Sequence, residues 1–134
     1  MARTTDTDRL SGLLATRRAA FMREGAPSLA QRRADLIKFR ATIIGHRKEI
    51  GDAVHADFGH RSRHGTAVTE VGGVAEGTKY LIRHLRKFMA PTRRHIALHM
   101  RSGNARVEYQ PLGVIGVMSS WNYPVNPIHN LMLR

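Results

Sequence analysis

Residues 113–124 read Gly-Val-Ile-Gly-Val-Met-Ser-Ser-Trp-Asn-Tyr-Pro, an apolar run followed at once by a polar and aromatic segment. An uninterrupted apolar run is typical of a parallel β-strand that is covered on both faces. Asn126 and Pro127 resemble a helix cap and first-turn residue, so a helix is predicted next. This order of strand, loop and helix predicts an α/β fold, in which ligands bind at the carboxyl ends of the strands.

Before this run, apolar residues recur at three- and four-residue spacing, which is typical of helices with one buried stripe. The first helix is predicted from about Leu10 to the residues before Gly25. The second is predicted to begin after Ser28, which forms a capping-box pattern with Gln31, and to extend to Val54. Together these patterns predict a helical amino-terminal part.

Residues 57–65 lack helical periodicity and contain two glycines, which predicts a loop. A third helix is predicted from Thr66 to Pro91, although Gly72 and Gly73 each cost about 1 kcal/mol relative to alanine inside a helix. The predicted buried side of this helix consists of Val68, Val71, Ala75, Leu81, Ile82, Leu85 and Phe88.

Beyond the third helix the apolar period changes to two. Residues 96–100 and 107–109 alternate apolar and polar side chains, and residues 102–104 provide turn chemistry between them. A β-hairpin is therefore predicted. The apolar run that follows has no second parallel strand to pair with, so we expect residues 114–118 to be exposed and prone to association in the isolated chain.

The composition is strongly basic, with 22 Lys and Arg against 10 Asp and Glu and a formal charge of +12 over 134 residues. The cations are spread over every predicted helix and do not interleave with aromatic residues. Solvated helix faces are therefore favoured over a nucleic-acid site, and only nonspecific contacts with polyanions are expected. Apolar residues make up 42% of the chain, which argues against disorder.

Several kinds of site are excluded or disfavoured by residue type. The chain has no cysteine, which excludes disulfides, thiolate zinc sites and a thiol nucleophile within it. Asp57, His60 and His64 could share a helical face, but nearby glycines favour a basic surface loop, so no metal site is predicted. Because the sequence contains no apolar leader and no stretch as long as a bilayer span, a cytoplasmic protein with no membrane partner is predicted.

The segment after the predicted strand is the candidate site. Trp121 and Tyr123 could stack on a ligand, and the Asn122 carboxamide could donate a hydrogen bond to a developing oxyanion. Residue chemistry alone leaves open a second interpretation, because an asparagine between aromatic residues is more often a turn residue.

Two stretches resemble a known family. Residues 109–124, from Tyr-Gln-Pro-Leu-Gly to Trp-Asn-Tyr-Pro, resemble the aldehyde dehydrogenase superfamily at the entry to its cofactor-binding domain. Residues 57–64, Asp-Phe-Gly-His-Arg-Ser-Arg-His, resemble its coniferyl aldehyde dehydrogenase branch. The resemblance implies an α/β fold made of N-terminal helices, a β-hairpin and the first strand of an incomplete Rossmann-like domain. It divides the chain into a helical segment 1–90, the hairpin 91–112 and a truncated start of the NAD(P)-binding domain 113–134.

The resemblance also implies a chemistry: a homodimeric enzyme that binds NAD or NADP and an aldehyde substrate. A cysteine attacks the aldehyde to form a thiohemiacetal, hydride passes to the nicotinamide, and a glutamate-activated water releases the acid. Asn122 matches the asparagine that holds the oxyanion. Met118, Ser119, Ser120 and Trp121 match positions that line the cofactor pocket.

The chain also departs from the family pattern. Ser120 stands where proline is usual, and Gly65 stands where the branch tends to carry glutamate. The cofactor-binding lysine, the glycine-rich turn, the catalytic glutamate and the cysteine have no match within the chain, and residues 129–134 drift from the pattern. We therefore expect an N-terminal fragment, from a frameshift or a truncated gene, that is inactive alone. The alternative is a small basic interaction protein that binds a longer subunit or nucleic acid.

Overall fold

The computed structural model describes residues 6–125, which are mostly helical with one two-stranded antiparallel sheet. The described residues form two compact units, 6–28 with 90–116 and 29–89 with 117–125. The regular elements are α1 (Asp6–Glu24), α2 (Leu29–Gly45), α3 (Arg47–Phe58), α4 (Arg63–Thr66), a π-helical segment (Ala67–Gly72), α5 (Gly73–Met89), β1 (Thr92–Arg94), a 3₁₀ turn (Leu98–Met100) and β2 (Ala105–Val107).

The first helix has the predicted C-terminal boundary but not the predicted burial. It ends where Gly25, at φ +73°, donates its backbone N–H to Phe21 O at 2.8 Å, a geometry that favours glycine. Most of its apolar stripe is exposed, with Leu10 60% and Leu13 52% accessible, and only Phe21 of the stripe is partly covered, so the expectation of a buried stripe is wrong for the described chain. The physical reason is that the described residues of its own unit leave Leu10, Leu13 and Leu14 uncovered.

The predicted second helix is divided into α2 and α3 at His46, whose backbone lies at φ −93° and ψ 16°. The backbone N–H of His46 and its ring Nδ1 both bond to Thr42 O, at 3.0 and 2.8 Å, at this interruption. Ile50 N still donates to His46 O at 2.9 Å, so hydrogen bonding continues from one helix into the next.

The core of the second unit is formed where α2 and α3 pack against the chain from Thr66 to Leu85. The predicted third helix is confirmed in outline, but its first part, Ala67–Gly72, is a π-helix, whose backbone bonds span five residues instead of four. Thr66 and Glu70 are buried, whereas Val68, predicted to face inward, is exposed. The buried positions are Thr66, Glu70, Val71, Val74, Ala75, Thr78, Leu81 and Leu85.

The hairpin is antiparallel as predicted, but its strands are shifted. Thr92 pairs with Val107 and Arg94 with Ala105. Residues 96–100 are not a strand, because the chain there bonds locally: Met100 N donates to Ala97 O and Gly103 N donates to Met100 O, both at 2.9 Å. The backbone N–H and C=O groups that would pair with a neighbouring strand are hydrogen-bonded in local turns instead.

The strand predicted over residues 113–118 is not formed, whereas the exposure expected for residues 114–118 in the isolated chain is observed at residues 115–118. These residues have no regular secondary structure in the described chain, and Ile115 and Val117 are about half exposed, at 50% and 45%. A parallel strand forms only beside a hydrogen-bonding neighbour, and the sheet of the described chain contains β1 and β2 alone. The apolar pattern is present, but the neighbouring strands that would pair with it are not in the described part.

Two properties of residues 6–125 concern membrane and metal binding. None of the helices there combines the length and the apolar character needed to cross a membrane. The same residues contain no cluster of His, Asp or Glu side chains that could hold a metal ion.

Candidate functional site

The segment that carries the candidate site is a turn in the second unit, at residues 120–125. Tyr123 N donates to Ser120 O at 3.3 Å, which closes the turn. Trp121 is 80% exposed and Met118, just before the turn, is 96% exposed. The sequence-predicted site residues Met118 to Asn122 are consecutive, and of these only Ser119 is partly covered.

Asn122 uses its backbone and leaves its side chain accessible. Its carbonyl oxygen accepts a hydrogen bond from Arg61 Nη1. Its carboxamide makes no hydrogen bond within residues 6–125, and the residue is exposed. The main chain is therefore held while the amide that could bind an oxyanion stays available.

Arg61 joins the turn to the helical core through a buried carboxylate. Its Nη2 lies 3.3 Å from Glu70 Oε1, and the side chains of Arg61 and Glu70 are 18% and 0% exposed. A fully buried carboxylate is stable only when it is paired and hydrogen-bonded, so this cation matters for the fold as well as for the turn.

The second oxygen of Glu70 also binds the turn. Glu70 Oε2 accepts the backbone N–H of Val125 at 2.9 Å. The residues from Asn122 to Val125 are thus anchored at both ends to one buried ion pair, by Arg61 at Asn122 and by Glu70 at Val125.

Aromatic rings surround the same guanidinium. Arg61 Cζ lies 4.6 Å from the ring centroid of Tyr123 and 5.1 Å from that of Phe58, both within cation–π range. Phe58 also stacks on Trp121, with ring centroids 5.9 Å apart and planes at 20°. Trp121 therefore has one face against Phe58 although most of its surface is accessible.

The loop predicted over residues 57–65 is shorter in the structure, because its ends are helical. Gly59, at φ +73°, ends α3 by donating its N–H to His55 O at 2.8 Å. Ser62 begins α4, where its Oγ accepts the N–H of Gly65 at 3.2 Å. Between these caps His55 Nδ1 donates to Arg61 O at 2.7 Å, which fixes the backbone that presents the guanidinium.

An ion-pair group on the surface joins α3 to α4. Asp52 accepts hydrogen bonds from Lys48 Nζ at 2.9 Å and Arg63 Nε at 2.5 Å. The bond from Lys48, followed by that from Arg63, lowers the pKa of Asp52 below its ordinary value. The pair with Arg63 spans the segment that contains Arg61.

Sequence reasoning missed Arg61, Glu70 and His55 as parts of the site. Glu70 carried a usable signal, since it lies four residues before Val74 and four after Thr66 on what proved to be the buried face. A carboxylate on a buried face requires a cation, and Arg61 is in the preceding loop. The pairing of Arg61 with Asn122 O had no such signal, because 61 residues separate them.

A sequence model described as the aldehyde dehydrogenase family matches residues 3–132 of the chain. The chain is 38% identical over 120 residues to a probable coniferyl aldehyde dehydrogenase of Caulobacter vibrioides, covering 87% of this chain and 25% of that protein. It is 36% identical over 118 residues to the coniferyl aldehyde dehydrogenase of Pseudomonas sp. strain HR199, covering 88% and 24%. The chain thus spans about a quarter of the length of these curated relatives. The resemblance found in its motifs is confirmed, and the chain belongs to the aldehyde dehydrogenase family.

Proposed function

We propose that this chain supplies one part of the active site of an NAD(P)-dependent enzyme that oxidises an aldehyde to the carboxylic acid. An aromatic aldehyde such as coniferyl aldehyde is the proposed substrate, because relatives named for that substrate match most of the chain. The observation that carries the proposal is the state of Asn122: its backbone is anchored by Arg61 and its carboxamide is exposed.

The proposed role of Asn122 is to stabilise negative charge. When a nucleophile adds to an aldehyde, the carbonyl oxygen becomes an oxyanion. The carboxamide N–H₂ of Asn122 would donate a hydrogen bond to that oxygen. A donor held in place beforehand is more effective than a mobile one, because little reorganisation is needed when the charge develops.

The proposed cofactor wall consists of Met118, Ser119, Ser120 and Trp121. These side chains suit NAD or NADP in chemical type, since they offer an accessible thioether, two hydroxyls and an indole. Bound NAD(P)⁺ supplies the hydride acceptor. The residues of this chain would cover the cofactor and hold it beside Asn122.

The nucleophile is proposed to come from outside residues 1–134, since the chain has no cysteine. In the complete enzyme, proposed to be a homodimer, residues 1–90 would form a helical segment, 91–112 a hairpin and 113–134 the start of the cofactor domain. The 134-residue chain alone would then form no NAD(P)H from aldehyde, and robust formation by the purified chain contradicts this arrangement.

A chimera tests the role of Asn122. This chain replaces the aligned quarter of the Caulobacter vibrioides relative, and NAD(P)H formation is followed with coniferyl aldehyde. Asn122→Ala should lower kcat by about 10²–10³, the usual effect of removing one oxyanion donor. The matched control is Asn104→Ala, which removes an exposed amide in the hairpin turn and should leave kcat unchanged. An Asn122→Ala chimera with the parent kcat would refute the proposed role.

A further inference from the structure

We propose that Arg61 and Glu70 form a clamp that positions Asn122 for catalysis. The clamp is defined as the buried ion pair of these two side chains together with its bonds to Asn122 O and Val125 N. The inference rests on the proposed function only for the consequence in catalysis. The positioning of the turn itself is a separate, physical claim.

The bonds of the clamp reach the turn before and after Tyr123 in the sequence. Arg61 reaches Asn122 O and Glu70 reaches Val125 N, so the two intervening residues, Tyr123 and Pro124, are held between two fixed points. Both side chains are largely or fully buried, at 18% and 0% exposure, so water competes weakly for their hydrogen bonds. An exposed turn held by two buried charged groups is restrained far more than one held by its own single turn bond.

The chemistry of the cation favours arginine over lysine. The guanidinium uses one nitrogen for Asn122 O and another for Glu70, while its plane lies near the rings of Tyr123 and Phe58. A lysine ammonium carries the same charge but lacks the planar fork that makes these contacts together. Arg61→Lys therefore keeps the positive charge of the clamp but removes the geometry of its contacts.

The loop before the clamp is built to place this guanidinium. Gly59 ends α3 in a conformation that favours glycine, and His55 Nδ1 donates to Arg61 O at 2.7 Å. The segment that resembles the coniferyl aldehyde dehydrogenase branch, residues 57–64, is the one that carries Arg61. In the proposed clamp, this motif holds a turn that lies about 60 residues later in the sequence.

The first experiment reads the turn directly in the 134-residue chain. Trp121 is its single tryptophan and lies inside the clamped turn, so the tryptophan band of the near-ultraviolet CD spectrum reports on that turn. Arg61→Gln with Glu70→Gln removes both charges and avoids leaving a buried carboxylate without its cation. We expect loss of the tryptophan band with retained helical far-ultraviolet signal.

The matched control is Arg86→Gln with Glu76→Gln, which removes the same two charges from exposed positions on α5 and should keep the tryptophan band. If the buried double variant loses its helices, Arg61→Lys decides the question, since it keeps the charge and should still weaken the band; Arg86→Lys is its control. A tryptophan band equal to that of the parent in the helical double variant, or in Arg61→Lys, overturns the clamp.

The second experiment tests the consequence for catalysis in the chimera. Arg61→Lys should lower kcat with little change in KM for the aldehyde, because it misplaces an oxyanion donor without removing substrate contacts. In an Asn122→Ala background the same substitution should have no further effect, since residues that act through one group are not additive. Equal fold losses in both backgrounds would overturn a role through Asn122. An inactive parent chimera would count against the proposed function, while the tryptophan band would still decide the clamp.

Discussion

Asp52 is a single residue whose protonation should affect the junction of α3 and α4. The hydrogen bond from Lys48, and then that from Arg63, lowers the pKa of Asp52 below 3.8 in the folded chain. A lowered pKa stabilises the fold at pH values above the unfolded value, and that stabilisation is lost as pH falls through the folded value. We therefore expect the free energy of unfolding to fall more steeply below about pH 4 in the parent than in Asp52→Asn. Urea unfolding at a series of pH values measures this difference, and parallel curves would contradict it.

At the same scale, the sequence offers Asn122 as a candidate oxyanion donor, because it stands in a motif beside Trp121 and Tyr123, and that role stays a prediction. The sequence does not indicate its contact with Arg61. The Arg61 guanidinium bonds to the backbone carbonyl of Asn122. Every residue has such a carbonyl, so the residue types do not indicate which one Arg61 contacts. Only the buried carboxylate of Glu70, on an otherwise core-facing stripe, could have indicated that a cation was needed.

Among the elements, helices were predicted more reliably than strands, because helical hydrogen bonds are local and apolar spacing reports them directly. The two interruptions of the helices, at His46 and in the π-helical segment, were not predicted. They depend on individual carbonyl acceptors and on packing, which apolar spacing does not report. The hairpin was found from its turn residues, but the pairing of Thr92 with Val107 depends on contacts across the turn that alternation did not fix.

Two glycines at helix ends should respond in opposite directions to alanine. Gly59 lies at φ +73°, where a side chain costs about 1–2 kcal/mol, so Gly59→Ala should lower the free energy of unfolding by about that amount. Gly45, at the end of α2, has no positive φ, and a Cβ there meets no atom within 4 Å. Gly45→Ala should therefore stabilise by about 0.4–1 kcal/mol.

Urea unfolding of both glycine variants and the parent provides the measurement. Because Gly59 also precedes the clamp, Gly59→Ala should weaken the tryptophan band of Trp121 as well, whereas Gly45→Ala should not. A Gly59→Ala protein as stable as the parent would show that the left-handed end of α3 is not required.

For the whole molecule, two of the apolar faces exposed among residues 6–125 have different origins. On α1, Leu10 and Leu13 lie in a formed helix whose own unit does not cover them. Residues 113–118 have the composition of a buried strand but no strand beside them in the described chain. On α1 the apolar spacing predicted a burial that is not observed, whereas the exposure expected for residues 114–118, which have no strand to pair with, is observed at residues 115–118.

This exposed apolar run should make the purified chain associate, because Ile115 and Val117 offer both side chains and unpaired backbone groups to another copy. Ile115→Lys with Val117→Lys should shift the sedimentation profile towards monomer at equal protein concentration. Asp57→Lys adds the same +2 charge at an exposed position of α3 and controls for simple repulsion, so it should leave association nearly unchanged. A monomeric parent, or equal dissociation by both changes, would contradict the assignment of association to this run.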